Sequence, residues 1–327
     1  MNGLLSPDRK VLNEPMNLNI WQTHTDTHEP SGRQHPEHLR IRPGDAHAVN
    51  ILVTSAAGTN GDGYGSILAF TLDGKMLGAF GADSGITDPR GLRVHPDGDR
   101  VYVNNGDDRI LSLDPHGRIA AKTGPIANLN PGRGNFGPDG RYYIGSRTAR
   151  TIVAFPPGLL GSGKAILPSG VVPFPRGFAL APDGRLFLAS GTSPSGDGDD
   201  TILAFAPDLT LSAERFVDDT QLSPLDLAIA PNGNVLVSSE FPFGGPDAVT
   251  TVREYDAGSG KLVRIFSPDG SVGFRKPRGL RFGPDGNLYC VAHDEIVAFD
   301  FGDGRFLGAV ARLDRLNGQA IEFFPLR

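Results

Sequence analysis

One tripeptide turn recurs along this chain and limits what it can fold into. Pro-Asp-Gly, or once Pro-Asn-Gly, stands between two short apolar runs at Pro96–Gly98, Pro138–Gly140, Pro182–Gly184, Pro231–Gly233 and Pro284–Gly286. Proline presets φ, Asp or Asn bonds its own backbone, and Gly accepts a positive φ, so each copy reads as strand, turn, strand. Seven residues before each turn proline stands another: Pro89, Pro131, Pro175, Pro224 and Pro277. A degenerate copy begins at Pro36, and the six heads are separated by 53, 42, 44, 49 and 53 residues.

Each turn leads into an apolar run: Ile51–Val53, Val101–Val103, Tyr142–Ile144, Leu186–Leu188, Val235–Val237 and Leu288–Val291. A third run follows in every unit, from Ile67–Thr71 to Ile296–Phe299, and a fourth usually follows a glycine, as at Lys75–Phe80 and Lys261–Phe266. Four strands repeated six times at roughly 40–50 residues predict an all-β, six-bladed β-propeller with four antiparallel strands per blade. Runs apolar on both faces, such as Val101-Tyr102-Val103, suit a sheet packed between two neighbours. The 44 glycines and 27 prolines agree with many short strands and turns.

The ring must close. Gly318–Pro325 reads as one more first strand with nothing after it. Placing it in the first blade removes two exposed sheet edges, so that argument favours it over the alternative inner strand at 39–42. The division expected is a polar extension over 1–36 and a single propeller over 37–327. Four of the eight histidines, His24, His28, His35 and His38, fall within 21–38. His24 and His28 have the i, i+4 spacing of a metal-binding arm, but 24–28 is too β-branched for a helix, which favours a solvated extension packing through Ile20 and Trp21. A net charge of −6 disfavours nucleic-acid and anionic-membrane partners. Cys290 is the single cysteine, which excludes an intramolecular disulfide and a Cys-based zinc site. No signal segment and no long apolar run is present, so a soluble, cytoplasmic protein is expected.

The turn-anchored repeat Pro-x-Gly-Leu-x-x-x-Pro-Asp-Gly, clearest at Pro89–Gly98, Pro175–Gly184 and Pro277–Gly286, resembles NHL-type propellers and the wider group containing the senescence-marker-protein/gluconolactonase enzymes. The resemblance spans about 36–325. It implies a channel site, and in the gluconolactonase-like enzymes one Ca²⁺ or Zn²⁺ held by Glu, Asn and Asp at the starts of innermost strands. That column here holds Glu37, Arg90, Gly132, Arg176, Leu225 and Arg278, of which only Glu37 matches by type. Propeller amidating lyases use pore histidines in this column, and here there are none.

Equal repeat positions map onto one ring around the axis. Arg90, Arg176 and Arg278 therefore fall at one mouth. The next column prefers Gly (Gly91, Gly177, Gly279) but carries His38, Arg133 and Asp226 in three units; the ends of the second strands carry Gly106, Arg147, Gly191, Glu240 and His293. Arginines converging in this way predict a clamp for a small anionic molecule, with Arg90, Arg133, Arg147, Arg176 and Arg278 binding the substrate. His293, Glu240 and Asp226 are the candidate acid/base groups, and Glu240 and Asp226 the candidate ligands for a divalent cation. A structural ring, with arginines bonding loop carbonyls and carboxylates, is the competing explanation. Two further loops, Asn60–Tyr64 and Gly196–Asp200, alternate oxygen donors suited to Ca²⁺, although turn chemistry accounts for them as well. The function expected is a hydrolase (lactonase-like) or lyase acting in the channel; the alternative is a non-catalytic NHL-like module binding protein or RNA. The Pro-Asp-Gly face, about five residues or some 16 Å away, is expected to carry no site.

Overall fold

The computed structural model describes residue 41 and residues 49–57, 63–159, 161–191, 200–245 and 247–326. The N-terminal extension, Glu37, His38 and most of both candidate Ca²⁺ loops lie outside these residues.

The turns form as their chemistry dictates. Gly98 N–H donates to the His95 carbonyl at 2.8 Å and Gly184 N–H to that of Ala181 at 2.9 Å, each with the glycine at positive φ (69° and 86°). The Oδ1 atoms of Asp139, Asp183, Asn232 and Asp285 each accept from the backbone N–H two residues on, at 3.1 Å. This is the side-chain bond that makes these residues turn formers.

The chain orders its strands into six four-stranded antiparallel sheets. Blade one contains β1 (Val49–Ser55), β2 (Ser66–Phe70) and β3 (Met76–Phe80). Blade two runs β4 (Gly91–Val94), β5 (Val101–Asn105), β6 (Arg109–Leu113) and β7 (Ile119–Lys122). Blade three runs β8 (Pro131–Phe136), β9 (Tyr142–Ser146), β10 (Thr151–Phe155) and β11 (Lys164–Ala165). Blade four runs β12 (Pro175–Leu180), β13 (Leu186–Ser190), β14 (Thr201–Phe205) and β15 (Leu211–Ala213). Blade five runs β16 (Pro224–Ile229), β17 (Val235–Phe241), β18 (Val249–Tyr255) and β19 (Leu262–Phe266). Blade six runs β20 (Leu280–Phe282), β21 (Leu288–Val291), β22 (Glu295–Phe299) and β23 (Phe306–Arg312).

The last strand, β24 (Gly318–Pro325), returns to blade one and pairs with β1, with Leu52 opposite Glu322 and Val53 opposite Ile321. The C-terminal strand is thus the inner strand of the first blade, and the ring closes as the edge argument predicts. The six inner strands β24, β4, β8, β12, β16 and β20 neighbour one another around the axis.

Period-two alternation builds the core. Leu52 faces blade two with Val101 and Val103, while Ile51 and Val53 face blade six with Val291 and Ile296. The remaining apolar clusters fill the other gaps between adjacent blades in the same way. Strands such as β5 and β13 are buried along their whole length because both faces pack on a neighbour. No helix among the described residues is long and apolar enough to cross a membrane.

Candidate functional site

The inner strands converge so closely at one mouth that most of them need glycine there. A Cβ on Gly91 would lie 2.8 Å from the Gly132 carbonyl oxygen, and one on Gly279 would lie 2.8 Å from the Ile321 nitrogen. In blade five the same column carries Asp226, whose carboxylate lies over Gly177; a Cβ there would meet its Oδ1 at 2.5 Å. In blade three the column carries Arg133, which donates from Nη1 to the Arg90 carbonyl at 2.8 Å.

The ends of the second strands trade places with the first-strand column. Arg176 occupies the space over Gly191, where a Cβ would lie 2.0 Å from its Nε. In blade three the exchange is reversed: the first-strand position is Gly132, and Arg147 from the end of β9 reaches over it, its Nε 3.8 Å from where a Cβ would stand. Blades two, three and four thus each carry an arginine in one column and glycine in the other, whereas blade six carries Arg278 and His293.

Most of these arginines are already engaged. Arg90 pairs with Asp88 at 2.7 Å and remains partly exposed. Arg133 Nε stands 3.7 Å from Asp226 Oδ2. Arg176 donates from Nη1 to Ser223 Oγ and the Pro224 carbonyl at 3.1 and 3.0 Å, lies 3.5 Å from Asp200, and stacks over the Phe243 ring at 4.3 Å. Arg278 shares that ring at 5.7 Å and stands 3.6 Å from Glu240 Oε2.

Arg147 differs from the rest. Its nearest aromatic neighbour, Phe174, is 6.0 Å away, and its Nε is shut off from solvent with no hydrogen-bond partner. Burial pushes its pKa down to about 9, and each of the charges that add to this effect is another arginine: Arg90, Arg133, Arg176 and Arg278. Burial likewise lowers Arg278 to about 10, opposed by Glu240 and assisted by Arg133 and Arg176. For Arg133 and Arg176 burial also lowers the pKa, against the pull of Asp226 on the first and of Asp200 and Glu240 on the second. The mouth is therefore positively charged and poorly hydrated, an environment that favours an anion.

The candidate acid/base groups fare differently. Glu240 is buried and its Oε2 has no hydrogen-bond partner, so it keeps an available acceptor beside Arg278. Asp226 is buried, takes the Leu280 N–H on Oδ2 at 3.3 Å, and is bracketed by Arg133 and by Arg281 at 3.8 Å. His293 turns toward its own loop: Nδ1 lies 2.9 Å from Asp294 Oδ2, and both ring nitrogens are buried without a hydrogen bond of good geometry. The structure thus brings the five arginines together with Asp226 and Glu240, while the contacts of His293 are to Asp294.

Sequence reasoning missed a second layer deeper in the channel. Arg281 donates from Nε to Glu322 Oε1, which Arg93 Nη1 also reaches at 3.1 Å. The ionic chain Arg133–Asp226–Arg281–Glu322–Arg93 joins the inner strands of blades three, five, six, one and two. Burial works against the charge of Arg281, but Glu322 and Asp226 outweigh it and raise its pKa; Arg93 is lowered by burial and by Arg281, against Glu322. The signal was present: Arg93 and Arg281 both stand four residues after a heading proline.

The residues at the arginine mouth do not fit a divalent cation. Asp226 and Glu240 each already face guanidinium groups, and the neighbouring column supplies arginine, glycine and leucine where the gluconolactonase-like set needs oxygen donors. Among the described residues, a group of three ligating side chains occurs instead on the turn face. His95 Nδ1 lies 3.5 Å from both Asp97 Oδ2 and Asp99 Oδ1, and the three atoms fall within 4.8 Å of one another, a spacing that a divalent cation can span.

No family model matches the chain, and no curated protein does. Solved structures do. The chain is similar to one in a nidogen/laminin complex at 14% identity and a TM-score of 0.62, covering 84% of this chain and 98% of that one. It is similar to a putative gluconolactonase at 23% identity and a TM-score of 0.53, covering 68% and 77%. It is also similar to a catalytically inactive virginiamycin B lyase from Staphylococcus aureus with quinupristin, at 15% identity and a TM-score of 0.52, covering 72% and 77%. At these identities the likeness is one of fold, that of a β-propeller.

Proposed function

We propose that the chain is a propeller enzyme of hydrolase (lactonase-like) or lyase type, acting on a small anionic substrate held at the arginine mouth. The observation that carries this reading is Arg147, a partly buried guanidinium whose Nε is shut off from solvent, with no carboxylate partner among the described residues and four other arginines acting on it. A buried charge of this kind is costly unless something pairs with it, and an anionic ligand supplies the pair.

In this reading the substrate carboxylate or phosphate meets Arg147, with Arg90, Arg133, Arg176 and Arg278 around it. Phe243, stacked by Arg176 and Arg278, shapes the entrance. Glu240 Oε2 takes the proton, either from water attacking a lactone carbonyl or from the carbon beside the anionic group. Arg278 stands beside it, Nη1 3.6 Å from Oε2. Glu240 then hands the proton to the leaving group, and Asp226 holds Arg133 in place. The virginiamycin B lyase and putative gluconolactonase among the similar folds agree with this pair of reaction types without choosing between them.

The test is turnover of lactones, carboxylate esters and small hydroxy acids by the purified full chain, with Glu240→Gln as the variant. Losing a positioned base costs about 10²–10⁴ in rate, while anion binding by the variant should persist. Anion binding without any turnover would make the chain a binding module of the NHL-like kind. Neither binding nor turnover would refute the proposed site.

A further inference from the structure

At the other end of the channel, on the turn face, lies a cavity of about 360 Å³. Blades two, three and four contribute corresponding positions to its wall: Arg93, Val94 and Pro96 from the first, Phe136 to Pro138 from the second, and Leu180 to Pro182 from the third. The lining is apolar except for Arg93, the last member of the ionic chain that runs through the channel.

That chain is unbalanced. Glu322 Oε1 serves both Arg93 and Arg281, and Asp226 Oδ2 stands between Arg281 and Arg133. Two carboxylates thus hold three guanidiniums. Arg93 has one ion pair among the described residues, 28% of its side chain remains accessible, and it lines the cavity. The acids of the rim do not cancel this charge. Asp139 is taken by Arg141 at 2.7 Å and by the Tyr143 hydroxyl, Asp183 by Arg185 at 2.7 Å, and the Asp97 side chain is 78% exposed to solvent.

We propose that this cavity is a second ligand site, taking a small carboxylate with an apolar body. The carboxylate pairs with Arg93 on the floor, and the body packs against Val94, Phe136, Pro138 and Leu180. A cation is repelled by the floor, and a bare inorganic anion gains nothing from the walls. The volume lies in the range of small-molecule sites, about 300–1,000 Å³. The site stands apart from the arginine mouth and does not depend on the reaction proposed there.

Hexanoate, hexan-1-ol and inorganic phosphate are suitable probes, titrated into the full chain by calorimetry or NMR. Hexanoate should bind, hexan-1-ol should bind more weakly, and phosphate should not displace hexanoate. Arg93→Gln should weaken hexanoate about tenfold or more, since a charge-assisted pair is lost. Glu322 keeps Arg281 in that variant, so the ring stays closed. Leu180→Trp, which fills the cavity without touching the ionic chain, should have the same effect. Absence of hexanoate binding, equal binding by both variants, or displacement by phosphate would overturn the proposal.

Discussion

Replacing Arg147 with methionine should make the ligand-free protein more stable while removing its response to anions. A guanidinium whose pKa falls from 12.5 to about 9 has its charged form opposed by the fold. At about 1.4 kcal/mol for each tenfold change, that opposition is on the order of 5 kcal/mol. Water reaching a partly exposed side chain screens much of it, and the variant loses the contact with Phe174, so a gain of about 1–2 kcal/mol is the reasoned figure. The sign fixes a pH dependence. Below about pH 9 both folded and unfolded chains carry the proton, and the penalty is present in full. Between there and the ordinary value the unfolded chain binds more protons, so wild-type stability rises with pH and its deficit against Arg147→Met shrinks. Urea denaturation of both proteins at neutral pH and at about pH 10 measures this. Adding phosphate or acetate provides the second readout. An anion at a hundred times its Kd should raise wild-type stability by about 2.7 kcal/mol and leave the variant nearly unchanged. A variant that is less stable at neutral pH, and that still gains from the anion, would refute the reasoning.

Other expectations follow from particular contacts. Gly191→Ala puts a Cβ 2.0 Å from Arg176 Nε; it should cost about 1–3 kcal/mol by overpacking and weaken anion binding, read by thermal denaturation and titration. Asp183→Ala removes bonds to the Arg185 N–H and Nε at 3.1 and 2.7 Å on an exposed turn; it should cost no more than about 1 kcal/mol and leave anion binding at its wild-type level. Phe324→Ala, in the strand that closes the ring and fully buried against Phe80, should cost about 3–5 kcal/mol in chemical denaturation.

The fold was legible because its signals are local. A Pro-Asp-Gly turn carries its own geometry, and its recurrence counted the blades before any long-range contact was known. Closure by Gly318–Pro325 followed from the cost of unpaired edges, a general argument that needed no coordinates. The arginine mouth was legible for a related reason, since equal repeat positions share a ring and Arg176 and Arg278 do meet on Phe243. What the columns could not show is which way a side chain turns once it arrives. His293 shares its column with Arg147 and Glu240 yet turns to its neighbour Asp294. Pairs across blades, such as Arg93 with Glu322, depend on how far two strands lie apart at the axis, and no single repeat records that distance. The turn-face cavity was invisible for the same reason, being the space left over when Phe136 and Leu180 meet from different blades.

Closing the ring with the final strand also gives the chain a history during synthesis. The hydrogen bond from the Ala320 N–H to Thr54 Oγ1 spans 266 residues. At about 5–20 residues per second, a ribosome leaves β1 without its inner partner for on the order of ten to fifty seconds. Blades two to six are each made of consecutive strands and can zip as they emerge. Blade one instead waits, an apolar sheet with an open edge, until the last eight-residue strand is released. A high contact order and an unpaired edge fall on the same element, so the nascent chain is most prone to misassociation at its oldest end.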